Sequence, residues 1–336
     1  METGAGYGSR GGIVTLNGQT REWSELDCLR SRFQPWEIVV AVLLSCAVGG
    51  GFAYWRGRSR PFDAAALIES LPPDQATDVY IDVDALRRGG ILNLVAGSKA
   101  SEEPDYRRFV EQTGFDYRSD LDAVAAAFFH NDVYFALRGR FQWKKLAQYA
   151  GAQGGRCAGA ICSMPGSAPD RHISFYELRP GVLALAVSAA ELGVNMIGPK
   201  QWKTPPRLPA EPVWISAPSF AFTDVKELPA GTHAFLSPLA RAQHVTFAIG
   251  PAGKGLQVRL EVACDSAETA LAVSAQLTKT TDLLKKMLDR EHMTPNKNDL
   301  SGVLVAGNFV QKEKTVLGTW PLEPGFVESL ASGKIE

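Results

Sequence analysis

Apolar positions recur with two different periods over residues 61–336. Alternation in DVYIDVD puts Val79, Ile81 and Val83 on one face and Asp78, Tyr80, Asp82 and Asp84 on the other. That pattern predicts a half-buried strand over 78–84. Further strands are predicted over 123–129 and 132–138, around a turn at His130-Asn131, and over 171–178 and 182–187, around Pro180-Gly181. In the second half, strands are predicted over 245–249 and 256–262, joined by GPAGKG. Shorter ones are predicted at 213–215 and 220–222, with a final hairpin of 303–310 and 315–320. Helical spacing predicts helices over 62–71, 85–95, 103–112, 143–149, 233–242 and 326–330. The longest runs over 266–292, where Ser266 suits an N-cap and Leu271, Leu277, Leu284 and Leu288 fall near one face.

Helices mixed with antiparallel hairpins define an α+β fold, with helices laid on antiparallel sheets. Residues 199–212 contain Pro199, Pro205, Pro206, Pro209 and Pro212, which excludes a helix or a central strand. They divide this region into a first α+β module over 61–198 and a second over 213–336. SDLDAV at 119–124 resembles NDLSGV at 298–303, an offset of 179, and each is followed by a strand pair and a short helix. Either a weak internal repeat or chance produces so few matches.

One stretch has neither period. IVVAVLLSCAVGGGFAYW, residues 38–55, carries no charge over 18 residues, enough to span a bilayer as a single transmembrane helix. Trp36 precedes it, Tyr54 and Trp55 close it, and Arg56, Arg58 and Arg60 end it, as aromatic and basic residues do at membrane interfaces. Residues 1–37 form a short flexible head, too long for the start of an ordinary signal peptide. LLSC at 43–46 loosely resembles a lipobox, which would make Cys46 a lipidated terminus, but the apolar run continues past it. Three arginines lie within 20 residues on each side, so charge does not set the orientation.

Composition narrows the function. Lysine plus arginine is 35 against 36 aspartate plus glutamate, so there is no basic excess for nucleic acid. Five cysteines are too few for a disulfide scaffold. Cys157 and Cys162 enclose AGAI, which is neither a C-x-x-C redox motif nor a haem site. A local disulfide closing a hairpin is the favoured reading, with two free thiols as the alternative. The bridge would contribute about 2 kcal/mol and require an oxidising compartment. The five histidines are scattered and form no HExxH, and no G-x-S-x-G elbow is present. The remaining constellation is acidic: Asp82 and Asp84 on one predicted strand face, then Asp116, Asp120 and Asp122 in GFDYRSDLD. Carboxylates so grouped could hold a cation or act as acid and base, but they also suit strand edges and helix N-termini. Trp143, Trp202, Trp214 and Trp320 read as packing residues. No catalytic, metal or cofactor set is assigned.

LPPDQATDVYIDVDALRRGG at 71–90, FVEQTGFDYRSDLDAV at 109–124 and ALRGRFQWKKLAQYA at 136–150 together resemble an uncharacterised family of bacterial single-pass membrane-anchored proteins. The resemblance covers most of 61–198 and implies a cell-envelope protein in the bacterial inner membrane. It carries no catalytic residue with it. The sequence therefore leads to a non-enzymatic anchored module with a large extracytoplasmic C-terminal domain that binds or scaffolds an unidentified protein partner. A ligand binder or sensor with a pocket between the modules, and an envelope hydrolase, are the alternatives.

Overall fold

The computed structural model describes residues 63–72, 75–92, 104–198, 208–223, 230–253, 255–296 and 298–331. The 38–55 run and its flanking Trp36, Tyr54, Trp55, Arg56 and Arg58 lie outside these residues, as does most of the proline-rich stretch. Among the described residues no helix is long and apolar enough to cross a membrane.

The strands are β1 Thr77–Ile81, β2 Leu121–Phe129, β3 Asp132–Gly139, β4 Arg156–Ala158, β5 Ile161–Pro165, β6 His172–Arg179, β7 Val182–Ser188, β8 Val213–Pro218, β9 His244–Ala252, β10 Gly255–Ala263, β11 Asn308–Lys312 and β12 Thr315–Leu322. They form one sheet in the order β11-β12-β10-β9-β8-β1-β2-β3-β7-β6-β5-β4, antiparallel throughout. The helices are α1 Ala64–Ser70, α2 Val83–Arg88, α3 Pro104–Thr113, α4 Tyr117–Asp120, α5 Trp143–Ala152, α6 Ala230–Leu236, α7 Ala267–Arg290, α8 Leu300–Val305 and α9 Pro324–Ala331. Tight 3-10 turns occupy Gly193–Met196, Ser219–Phe222 and Ser237–Arg241. The two expected modules therefore share a single sheet, joined where β1 pairs with β8 through four residue pairs, Asp78↔Ser216 to Ile81↔Val213.

The strand order reads the same outward from that seam. On one side the neighbours are β1, β2, β3, β7, β6; on the other they are β8, β9, β10, β12, β11. In each half a helix follows the third strand, α5 after β3 and α7 after β10. A helix also precedes the second strand, α3 before β2 and α6 before β9. Because β1 and β8 are antiparallel neighbours, an axis normal to the sheet relates the halves and keeps each face on its own side. The 119–124 and 298–303 match does not belong to this relation: the first runs from α4 into β2, whereas the second enters α8.

Directly paired residues share a face of a sheet. Face A carries the row Cys162, Phe175, Leu185, Phe135, Ala126, Val79, Ile215, Phe247, Leu260, Gly318 and Phe309. α5 packs on its first half with Leu146 and Ala150, and α7 on its second with Ala270, Val273 and Leu277. Face B carries Ser174, Ala186, Tyr134, Ala127, Asp78, Ser216, Thr246, Glu261 and Leu317. Its first half is buried under Leu67 and Ile68 of α1, Leu71 just after it, and Val194 of a 3-10 turn. Ala123, Ala125, Ala127, Ala136, Ala184 and Ala186 are all buried there, and their short side chains let α1 approach the sheet closely.

Several expectations change. The strand over 78–84 stops at Ile81, because Asp82 turns outward to cap α2, its carboxylate accepting from the Ala85 amide at 2.8 Å. The helix therefore begins at Val83 rather than Ala85. Asp78 and Tyr80 were expected on the wet face, yet Tyr80 is 5% exposed and stacks on Trp214 at 5.7 Å. The face of β1 that carries Tyr80 is thus the more deeply covered one, so alternation does not separate core from water there. Residues 219–222 form a 3-10 turn instead of a strand. The expected strand over 303–310 divides into α8, capped by Asp299 through the Gly302 amide at 3.1 Å, and β11.

Candidate functional site

The second half encloses an apolar cavity of about 190 Å³ between face A and the helices above it. Its floor is Phe247 of β9, Val258 and Leu260 of β10 and Trp320 of β12. Its roof is Phe235 and Leu236 of α6, Leu239, Leu277 of α7, and Leu300, Val303 and Leu304 of α8. Every lining residue is apolar. Leu260 on the floor and Leu277 in the roof are 2% and 1% exposed, whereas Leu300 at 38% marks the side open to solvent. Cavities with such walls stay dry, and one of roughly 150 Å³ accepts benzene.

A second apolar cavity, of about 130 Å³, lies in the first half on the same face. Leu137 of β3, Met164 of β5, Ile173 and Phe175 of β6, and Leu183 and Leu185 of β7 form its floor. Phe109 of α3, Leu146 and Tyr149 of α5, and the connecting Phe115 and Phe141 close it. The cavities thus lie within the halves and not between them.

Face B of the second half is different. A polar groove of about 590 Å³ there is lined by Glu211, Thr246, Gln257, Arg259, Glu261 and Thr319, among others. Arg259 pairs with Glu211 at 2.8 Å. Beside it, Ser216 Oγ lies 2.6 Å from His244 Nε2 and 2.8 Å from Thr246 Oγ1. Burial lowers the pKa of His244, which favours the neutral ring. Asp78, directly opposite Ser216 on β1, has its carboxyl pushed up to about 7 by burial. These residues do not make a serine triad, in which the imidazole stands between hydroxyl and carboxylate. Here Ser216 stands between Asp78 and the strand that carries His244.

The acidic residues serve local structure. Asp82 caps α2, and Asp84 pairs with Arg87 at 3.1 Å and Arg88 at 3.4 Å. Asp116 caps α4 and accepts from the Tyr106 hydroxyl at 2.9 Å; burial and this bond push that phenol up to about 12. Asp120 accepts from the Asp116 amide at 3.0 Å and meets Arg140 at 3.3 Å. Arg87 links the groups, reaching Asp122 at 3.8 Å and donating to the carbonyls of Arg118 and Leu121. Among the described residues no three His, Cys, Asp or Glu side chains are placed to hold a metal ion. Cys157 and Cys162 are disulfide-bonded across the β4–β5 hairpin, while Cys264 is free and buried. Trp214 and Trp320 are core residues and Trp143 packs beside Leu146; Trp202 lies outside the described residues.

Sequence reasoning missed both cavities. The spacing of Phe235, Leu236 and Leu239, and of Leu300, Val303 and Leu304, is that of an apolar helical face, the one signal that could have pointed to the roof.

No family model matches the chain, and no curated protein matches it. Among solved structures it is similar to a crystal form of a protein designated TP0453, at 12% identity and a TM-score of 0.42, covering 79% of this chain and 95% of the other. Another crystal form gives 11% identity, a TM-score of 0.40, and 80% and 95% coverage. Similarity this weak assigns neither a family nor a function.

Proposed function

We propose that the chain is a non-enzymatic, membrane-anchored binding protein of the bacterial envelope, and that its second half takes an apolar chain or ring into the 190 Å³ cavity. The apolar wall carries this reading: it offers almost no polar surface, which is the property of a site for hydrocarbon. The uncharged run at 38–55 supports anchoring. The Cys157–Cys162 bridge supports an oxidising, extracytoplasmic location for the body. A scaffolding role with a protein partner is compatible with both.

Titration calorimetry with octanol tests the site. Val303→Trp fills the cavity from α8 and is expected to weaken that site at least about tenfold, roughly the loss of 1.4 kcal/mol. Octanol should also raise the melting temperature of the unmodified protein by more than that of the variant, in which only a first-half site would remain. Binding that ignores Val303→Trp in a folded variant overturns the assignment.

A further inference from the structure

The two apolar cavities occupy equivalent places in the repeated half. Each lies on face A, beneath the helix that follows the third strand and beside the one that precedes the second. The first-half cavity is shifted outward, toward β6 and β5, and its wall carries five aromatic side chains against three in the second half. Phe115 stacks on Phe141 at 5.0 Å and 14°, Phe109 meets Phe115 edge-on at 6.3 Å, and Tyr149 closes on Phe109 at 5.1 Å.

A charged side chain lies near this cavity. Gly114, with φ of 68°, adopts the left-handed conformation that lets the chain turn from α3 toward Phe115. The Lys145 ammonium lies over this turn, 3.1 Å from where a Cβ on Gly114 would stand. Lys145 is exposed, adjoins the lining Leu146 on α5, and meets no carboxylate among the described residues. An apolar chamber with a cation beside the turn that leads into its wall at Phe115 matches a molecule with an apolar tail and an anionic head.

We infer that the first-half cavity is a second binding site, selective for an anion-headed acyl chain, with Lys145 meeting the head and the Phe109–Phe115–Phe141 wall holding the tail. The inference rests on the apolar-ligand reading of the equivalent cavity, but its test is separate. The head could belong to a free fatty acid or to a membrane lipid, which share this chemistry.

The experiment compares octanoate with octanol, equal in tail and different in charge, on the full chain. Two sites are expected for octanoate. Leu146→Trp should remove one of them, and Val303→Trp the other. Met164→Trp fills the same first-half cavity from the sheet side, should Leu146→Trp fail to fold. Lys145→Met should weaken octanoate at the first-half site about five- to tenfold and leave octanol within about twofold. Displacement of octanoate by phosphatidylglycerol vesicles would mark the source as bilayer lipid; retention would mark it as free amphiphile. A single octanoate site indifferent to Leu146→Trp and Met164→Trp, or equal weakening of octanol and octanoate by Lys145→Met, overturns the inference. Loss of effect at Val303→Trp alone overturns only the second-half assignment.

Discussion

The two halves share a strand order and differ in what covers face B. In the first half α1 lies on a floor of buried alanines, so both faces of the sheet are core. In the second half the helices α6, α7 and α8 lie on face A, and beyond the buried Trp214 and Ala248 face B presents Thr246, Arg259, Glu261 and Thr319 along the polar groove. One row of paired residues records the change, passing from Ser174, Ala186, Tyr134 and Ala127 to Asp78, Ser216, Thr246 and Glu261. A repeated topology thus fixes where helices can sit, while side-chain size and polarity decide whether they do. Alanine invites a close helix; threonine, arginine and glutamate keep the face wet.

The largest effect expected from breaking this contrast is at α1. Leu67 is fully buried on face B of the first half, and Leu317 is 41% exposed on face B of the second. Leu67→Asn places an amide among alanines with no partner and should cost about 3–5 kcal/mol, a large share of total stability. Leu317→Asn should change stability by no more than about 0.5 kcal/mol. Urea unfolding of the two variants measures both, and similar losses would mean that the second-half face is covered after all.

Asp78 stands on the boundary and should give a smaller, pH-dependent effect. Its carboxyl is raised from 3.8 to about 7 by burial, so between those values the folded chain holds a proton that the unfolded chain releases. Its contribution is full below pH 4 and is lost as pH rises through 7. A shift of that size corresponds to roughly 4 kcal/mol when wholly buried. Asp78 is only half-buried, and water screening reduces the expectation to about 1–2 kcal/mol. Asp78→Asn should therefore be more stable than the parent at pH 8 and close to it at pH 4. Parallel melting curves across that range would disprove the burial effect.

Much of the architecture was legible, because alternation and helical spacing report local environments. The hairpins of β2 with β3, β6 with β7 and β9 with β10 follow directly from it, as does Ser266 at the start of α7. The order of strands was not legible. β7 lies beside β3 only after the chain has passed through α5, β4, β5 and β6, and no local pattern encodes that return. Local ambiguity explains the misplaced boundaries: VLVAGNFV has too few residues to separate a buried helix turn from a strand. The cavities escaped for the first reason. Phe235 and Trp320, or Phe109 and Leu185, share a wall but are far apart in sequence.

The smallest effects compare two caps with the same chemistry and different consequences. Asp82 caps α2 and Asp299 caps α8, each with its carboxylate on an amide three residues on. Replacing either by alanine should cost about 1 kcal/mol. α2 is tied down independently, since Arg87 reaches Asp122 and the carbonyls of Arg118 and Leu121. α8 instead forms the cavity roof through Leu300, Val303 and Leu304. Fraying its first turn loosens Leu300 at the open side. Asp299→Ala should therefore weaken octanol about twofold, while Asp82→Ala leaves it unchanged at the same loss of stability. Calorimetric titration of both variants decides the point: equal binding losses would detach α8 from the site and leave the cavity a packing feature of the second half.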